Sequence, residues 1–396
     1  MNKLVITRRD GRILTALLDE GVVQELSLEE DTSILGNIYI GKVKNVVKNL
    51  NSAFVDFGEG RTGYYSLTEN PVSIHTTGES RSLKSGDEIV VQVAKDAVKT
   101  KDPVLTANLN FAGRYAVLTA GKTVIGFSSK IADKEWKEAL KPKLEALTEG
   151  QAGLIIRTNA YRTDQDALMR EIAHLVEEYR KVCSDAPYRT CYSLLYQAQP
   201  GYIGSLNSCP EGTIDGIVTD EDEIYENLNR YLQTYQPELL GLLTKYSDPL
   251  VSLTNLYGLE TALEHACQKR VWLKSGGYLV IEQTEAMVVI DVNTGKYSGK
   301  KSQDEAIRRI NLEAAREICR QLRLRNLSGI IMVDFIDMKD DEDKILLMDT
   351  LKRHAIKDPV KTTVIDMTPL GLVELTRKKG RRPLAEQIGR TKEKDS

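Results

Sequence analysis

Two apolar runs end in aspartate and are joined by a long amphipathic segment, and this arrangement restricts the possible folds most. AMVVIDVNTG (286–295) delivers Asp291, and GIIMVDFIDM (329–338) delivers Asp334. Between them, KKSQDEAIRRINLEAAREICRQLRLRN (300–326) carries Ile307, Ile310, Ala314, Ile318 and Leu322 at steps of three or four, which is one helical stripe. Ser302 with Glu305 reads as a capping box at its start. Strand, helix, strand at this length is a crossover unit, so the second strand is expected to run parallel to the first. Both aspartates then leave the same edge of a sheet, where α/β folds hold ligands. Side by side, two carboxylates repel unless a proton or cation intervenes. An all-oxygen site favours Mg²⁺ or Mn²⁺ over zinc. Asn293 falls on the same side of its strand as Asp291 and can orient water or a phosphate oxygen. Spacing alone also allows two solvated strand-end acids.

Composition narrows the class of protein. The chain has 396 residues, 41% hydrophobic and 28% charged, enough for more than one soluble domain. With 54 Lys+Arg against 57 Asp+Glu, nucleic-acid binding must come from local patches. The N-terminus MNKLVITRRDGRILTALLDEG scatters charge through its apolar residues and does not read as a signal peptide. No run reaches the roughly 18 apolar residues of a spanning helix, so no membrane partner is expected. The five cysteines form no CxxC pair, and a cytoplasmic chain with reduced thiols is the expectation.

Residues 1–33 read as three strands, LVITRR, RILTALLDEG and VVQELSL. From Gly36 the short strands NIYIGKVKNVV, SAFVDFGEGRTGYYSL and GDEIVVQVAKD suggest a small barrel. Alternation in SAFVDFG puts Ala53, Val55 and Phe57 on one face and Phe54 and Asp56 on the other. If the first set is the core, Phe54 faces outward, and Tyr64 can join it. Such aromatics near Lys42, Lys44, Lys95 and Lys101 suit stacking of single-stranded bases, with core packing as the alternative.

Further on, GLIIRTNAYRTD (153–164) carries Arg157 and Thr158 into a loop, a fork and hydroxyl suited to a terminal phosphate. DALMREIAHLVEEYRKV (166–182) reads as a helix with Leu168, Ile172, His174, Leu175 and Tyr179 toward one side. Residues 201–268 read as alternating helix and turn, and the basic tail is expected to fray beyond Pro383.

Taken together, LKSGGYLVIEQTEAMVVIDVNTG, NLEAAREICRQLRLRNLSGIIMVDFIDM and GLVELTRKK resemble the catalytic core of the ribonuclease E/G family. The likeness runs from about residue 36 to 379 and is densest over 273–338. It implies a Mg²⁺-dependent endoribonuclease, specific for single-stranded A/U-rich RNA and preferring a 5′-monophosphate, in rRNA maturation or mRNA turnover. The implied fold is multidomain α+β. An RNase H-like domain (1–33 and 203–268) receives an OB-fold barrel (34–115) and a 5′-phosphate sensor (116–202). A DNase I-like α/β catalytic domain follows (269–396).

The resemblance makes Asp291 and Asp334 the metal-binding acids and Asn293 the catalytic asparagine. It makes Gly113, Val117, Arg157 and Thr158 the sensor, with Phe54, Tyr64, Lys95 and Lys101 gripping RNA. Lys361 stands where the family has a further sensor arginine. In the family a Cys-Pro-x-Cys zinc link follows GLxExTRxR, whereas here RRPLAEQIGRTKEKDS has no cysteine. No structural zinc is therefore expected, and any homo-oligomer would be held without it. The rival readings are a non-catalytic RNA-binding factor for ribosome assembly or RNA chaperoning, and a phosphoesterase acting on small phosphoesters.

Overall fold

The strands read between residues 37 and 96, with one short strand that follows them, close into a ring. Ile38–Val47, Ser52–Asp56, Thr62–Ser66, Val104–Thr106 and Glu88–Lys95 follow one another around a ring, and the last pairs back onto the first. Only Thr62–Ser66 against Val104–Thr106 is parallel. The result is a closed five-stranded, OB-like barrel. Its interior holds Val43, Ala53, Val55, Phe57, Tyr65, Ile89, Val91 and Leu105.

The computed structural model describes residues 2–77, 82–97, 102–121, 123–295 and 303–389. Lys101 and Ser302, and with Ser302 the capping box, lie outside the described residues. The chain divides into two compact units, one of Met1–Asp31 with Gly212–Ser396 and the other of Thr32–Glu211.

The Thr32–Glu211 unit contains the barrel and a second sheet, in the order Asn110–Ala112, Ala116–Thr119, Gly153–Ile156, Ile125–Phe127. Helices Lys134–Thr148 and Gln165–Asp185 share a core with this sheet. Both start at an aspartate cap: Asp133 accepts from the Trp136 N–H and Asp164 from the Ala167 N–H. The buried stripe of the second helix is Leu168, Glu171, Ile172, Leu175, Val176 and Val182. His174, expected on that stripe, is exposed. Two residues beyond Ile172, it is rotated by roughly 200° around the helix.

The other unit has two sheets. In the first, Leu243–Lys245, Ile214–Thr219 and Asn2–Arg9 run parallel, and Arg12–Asp19 and Val22–Glu30 continue antiparallel. Residues 201–268 therefore hold two strands as well as helices, which corrects the helix-and-turn reading. The second sheet has six strands: Arg270–Trp272, Tyr278–Gln283, Met287–Asn293, Gly329–Asp334, Leu372–Arg377 and Thr362–Met367. Helices Gln303–Leu324 and Asp341–Ala355 bury one face of it against Ile310, Ala314, Ile318, Leu322, Leu347 and Leu351.

The tail does not fray at Pro383. Leu384–Gly389 is helical, Leu384 is fully buried, and the Gln387 side-chain oxygen accepts from the Leu28 N–H at 2.8 Å. The Leu384 N–H also donates to the Arg325 carbonyl at 2.9 Å, so both side chains and backbone hold this turn.

Candidate active site

The strand Met287–Asn293 buries Val288, Ile290 and Val292 in the core, so Val289, Asp291 and Asn293 project from the other face. Gly329–Asp334 buries Ile331 and Val333 and projects Ile330 and Asp334. The two strands are parallel, with Asp291 opposite Asp334. Their carboxylates thus share an exposed face across one strand spacing, roughly 4.8 Å. The Asn293 side-chain N–H donates to Asp291 Oδ2 at 2.7 Å, leaving the amide oxygen to another partner.

Among the described residues neither carboxylate is ion-paired, and two cations of the segments that follow these strands have partners of their own. Lys339 pairs with Asp304 at 3.2 Å, and Arg308 with Asp343 at 3.1 Å. Two adjacent acids with no ion-pair partner among the described residues, and a fixed amide beside them, form an oxygen donor set that fits Mg²⁺ or Mn²⁺. Among the described residues no group of three or more His, Cys, Asp and Glu is placed to hold a metal. Asp291 and Asp334 are the residues that would hold such a cation.

The edge that carries the acids is braced from behind. Asn311, fully buried within the stripe of helix Gln303–Leu324, donates to the Ile336 carbonyl at 2.8 Å and accepts from the Ile336 N–H at 3.2 Å. This clamp fixes the chain two residues past Asp334. Glu313 accepts from the Lys274 and Ser275 N–H groups at 2.7 and 3.0 Å, holding the turn ahead of Tyr278–Gln283. Gly295 has φ +62°, and a Cβ there would lie 2.2 Å from the Gly276 carbonyl oxygen, so no other residue fits. Arg377, from the GLVELTRKK motif, lies inside the protein. It pairs with Asp358 through Nε at 2.7 Å and Nη2 at 3.3 Å, with the side chains only 3% and 4% exposed.

In the Thr32–Glu211 unit the sequence-derived phosphate residues come together. Gly153–Ile156 pairs with Ala116–Thr119, placing Val117 opposite Ile155, and Arg157 follows directly. The Arg157 N–H donates to the Tyr115 carbonyl at 2.7 Å, and the Gly113 N–H to the Ala116 carbonyl at 2.8 Å. Thr158 shares a 2.9 Å hydroxyl contact with Ser128.

Beneath this loop lies Glu171. Its Oε2 accepts from the Arg114 N–H at 2.8 Å, and its Oε1 from the Tyr115 and Ala116 N–H groups at 2.7 and 3.0 Å. Burial pushes the Glu171 carboxyl up, against the three amides and Arg157, which pull it down. A Cβ on Gly113 would meet Glu171 Oε1 at 2.3 Å, which accounts for glycine there. Lys361 belongs to the other unit, exposed just before Thr362–Met367, where its carbonyl accepts from the Lys378 N–H.

On the barrel, Phe54 pairs with Tyr64 across neighbouring strands, and the rings meet edge to face at 6.2 Å. Tyr64 pairs in turn with Val104, and Val104 with Lys95, so Phe54, Tyr64 and the exposed Lys95 follow one row around the barrel. The half-buried Phe54 and Tyr64 contrast with Tyr65, which is fully buried and hydrogen-bonded to Ser73. Of the other lysines, Lys42 is exposed, and Lys44 is held by Thr62 at 2.9 Å and Asp56 at 3.5 Å.

Sequence reasoning missed Glu171 and Asn311. Each is a polar residue inside an apolar helical stripe, one beside Leu168 and Ile172 and the other between Ile310 and Ala314. That placement is the signal that marks them.

Residues 110–380 match the model of the "Ribonuclease E/G family". The chain is 34% identical to ribonuclease G of Salmonella typhimurium over 394 residues, covering 96% of this chain and 80% of that protein. It is also 34% identical to ribonuclease G of Haemophilus influenzae over 393 residues, covering 96% and 79%. Ribonuclease E of a Nostoc species is 31% identical over 399 residues, covering 99% of this chain and 58% of that protein. The chain belongs to the ribonuclease E/G family.

Proposed function

We propose that the chain is a Mg²⁺-dependent endoribonuclease of RNA processing and decay, which cuts single-stranded, A/U-rich RNA and favours a 5′-monophosphate. The observation that carries this reading is the parallel pairing of Asp291 with Asp334 on one exposed face, with Asn293 bonded to Asp291, within the segment that matches the family. The two acids would hold the divalent cation. When bound, that cation supplies positive charge against the phosphate and the charge that develops on it during cleavage. Asn293, with one amide hydrogen on Asp291, turns its oxygen toward water or its second hydrogen toward a phosphate oxygen. The Asn311 clamp keeps Asp334 in register with Asp291. Hydrolysis by water leaves a 5′-phosphate and a 3′-hydroxyl.

Phe54 and Tyr64 stack bases on the barrel, and Lys95 and Lys101 meet phosphates. Gly113, Val117, Arg157 and Thr158 bind the 5′-phosphate, and Lys361 stands in for the family's additional sensor arginine. The domains are those implied by the resemblance. The order Val22–Glu30, Arg12–Asp19, Asn2–Arg9, Ile214–Thr219, Leu243–Lys245 supports an RNase H-like part. A cytoplasmic setting and an assembly without a zinc link complete the reading.

The test is cleavage of a short 5′-monophosphorylated A/U-rich RNA by the full chain, with Mg²⁺ and with EDTA. Asp291→Asn or Asp334→Asn is expected to abolish cleavage while RNA binding and folding persist, with partial rescue by Mn²⁺. Near-parental cutting by either variant refutes the shared-cation site. Binding without any cleavage by the parent points to the non-catalytic RNA-binding factor.

A further inference from the structure

The face that carries the acids also exposes an aromatic pair that the cleavage reading leaves unused. Arg270–Trp272 is the edge strand of the six-stranded sheet, and Val271 packs against the core, so Arg270 and Trp272 project from the open face. Tyr278 projects beside them, because its neighbour Leu279 is fully buried. The register ties these residues to the acids: Trp272 pairs with Tyr278 and Tyr278 with Asn293. One row along, Arg270 pairs with Val280, Val280 with Asp291, and Asp291 with Asp334. Trp272 is therefore two strand spacings, roughly 10 Å, from Asn293.

Packing gives no reason for this arrangement. Trp272 is 65% exposed, although indole is among the side chains that gain most from burial. Its ring lies 5.2 Å from that of Tyr278, and the Arg270 guanidinium lies 5.7 Å over Trp272 and 4.6 Å over Tyr278. Cation–π contact of this kind orders the rings and keeps a positive fork beside them. Two ring systems and a guanidinium next to two carboxylates fit a ligand that has a flat π face and an anionic link. Single-stranded nucleic acid has both.

We propose that Trp272, Tyr278 and Arg270 form a base-stacking subsite of the cleavage centre, which takes the nucleobase next to the scissile phosphate. Trp272 offers the stacking surface, Tyr278 its edge, and Arg270 meets the phosphate that links this nucleotide to the next. Stacking tolerates any base, so the subsite sets the position of the strand over Asp291 and Asp334 rather than its sequence. The proposal rests on the Asp291–Asp334 face being the place of cleavage.

The test uses the full chain and a short single-stranded RNA in which one abasic position is moved along the sequence. Cleavage is followed with Mg²⁺, and binding by fluorescence anisotropy in EDTA. With the parent chain, one abasic position beside the cut bond is expected to lower kcat/KM and affinity about tenfold. Trp272→Ala should show the same loss with intact RNA and no further loss with the abasic RNA, whereas Trp272→Phe retains most of the parental values. The proposal is overturned if Trp272→Ala binds and cleaves like the parent, or if the abasic penalty persists undiminished in that variant. Trp272-dependent binding without cleavage by the parent upholds the stacking subsite and removes the nuclease reading instead.

Discussion

Replacing Glu171 by glutamine tests whether one buried carboxylate shapes the loop of the proposed 5′-phosphate pocket. The carboxylate accepts three backbone N–H groups, two on Oε1 and one on Oε2. A glutamine of the same shape keeps its oxygen on Tyr115 and Ala116 but presents an N–H₂ group to the Arg114 N–H. One buried donor is then left without an acceptor, at a cost of about 1–3 kcal/mol, and removal of the buried charge offsets part of it. Glu171→Ala strands all three donors and should cost at least about 3 kcal/mol.

The pH dependence has a definite sign. The Glu171 carboxyl is raised, chiefly by burial, so the folded chain holds this proton more tightly than the unfolded chain. This contribution to stability is fully present below the ordinary glutamate value and is lost as pH rises through the raised one. Urea denaturation of parent and Glu171→Gln across that window should show a slope in the parent that the variant lacks. Cleavage of matched 5′-monophosphate and 5′-hydroxyl RNAs adds the functional readout: the preference should narrow while the 5′-hydroxyl rate holds. An unchanged denaturation midpoint and pH slope refute the bracing role. A lower midpoint with an unchanged end preference removes the link to the pocket.

Other perturbations separate grip, scaffold and assembly. Phe54→Ala and Tyr64→Ala should each weaken single-stranded RNA binding by about 1–3 kcal/mol with little change in Tm; a large fall in Tm at unchanged affinity would make them packing residues. Asp358→Asn leaves Arg377 charged and unpaired in the interior, and should destabilise the chain by about 3–5 kcal/mol in urea denaturation, against no change if the pair is dispensable. Metal analysis should find no stoichiometric zinc, and sedimentation should not respond to a chelator; about one zinc per dimer, lost with dissociation, would reveal a ligand set of another kind.

Where period and polarity agree, the fold could be read from the sequence. Alternation in SAFVDFG separated Ala53, Val55 and Phe57 from Phe54, and the barrel interior follows it. The 3.6-residue stripe from Ile307 to Leu322 gave the crossover, and the parallel pairing of Asp291 with Asp334 depends on it. What escaped depends on long-range partners. Ile214–Thr219 is a strand because Asn2–Arg9 lies alongside it, and Val104–Thr106 closes the barrel by pairing with Thr62–Ser66, about forty residues earlier, as well as with Glu88–Lys95. Three residues within one turn do not distinguish strand from loop. In the sequence Glu171 is one more charge on a helix, and only the fold brings the three amides onto it. A broad reading of the helical period puts His174 on the inner side with Ile172 and Leu175, but the roughly 200° from Ile172 turns it out. The charge of the tail after Pro383 hides its anchors, the buried Leu384 and Gln387.

The parallel pairing of Asn2–Arg9 with Ile214–Thr219 also affects the order in which the chain is completed. During synthesis the first three strands emerge early, yet the strand that covers their inner edge follows roughly 200 residues later, about ten to forty seconds at ribosomal speeds. All that time Leu4, Val5 and Ile6, fully buried in the finished protein, sit on an open strand edge, where pairing with a foreign strand is easiest. The stretch Thr32–Glu211 carries all of its own sheet partners and can fold as it leaves the ribosome. Its nascent state is therefore a folded middle with an unfinished beginning. A chain that stalls before Thr219 leaves three orphan strands for a chaperone or protease, even though every residue of the barrel has been made.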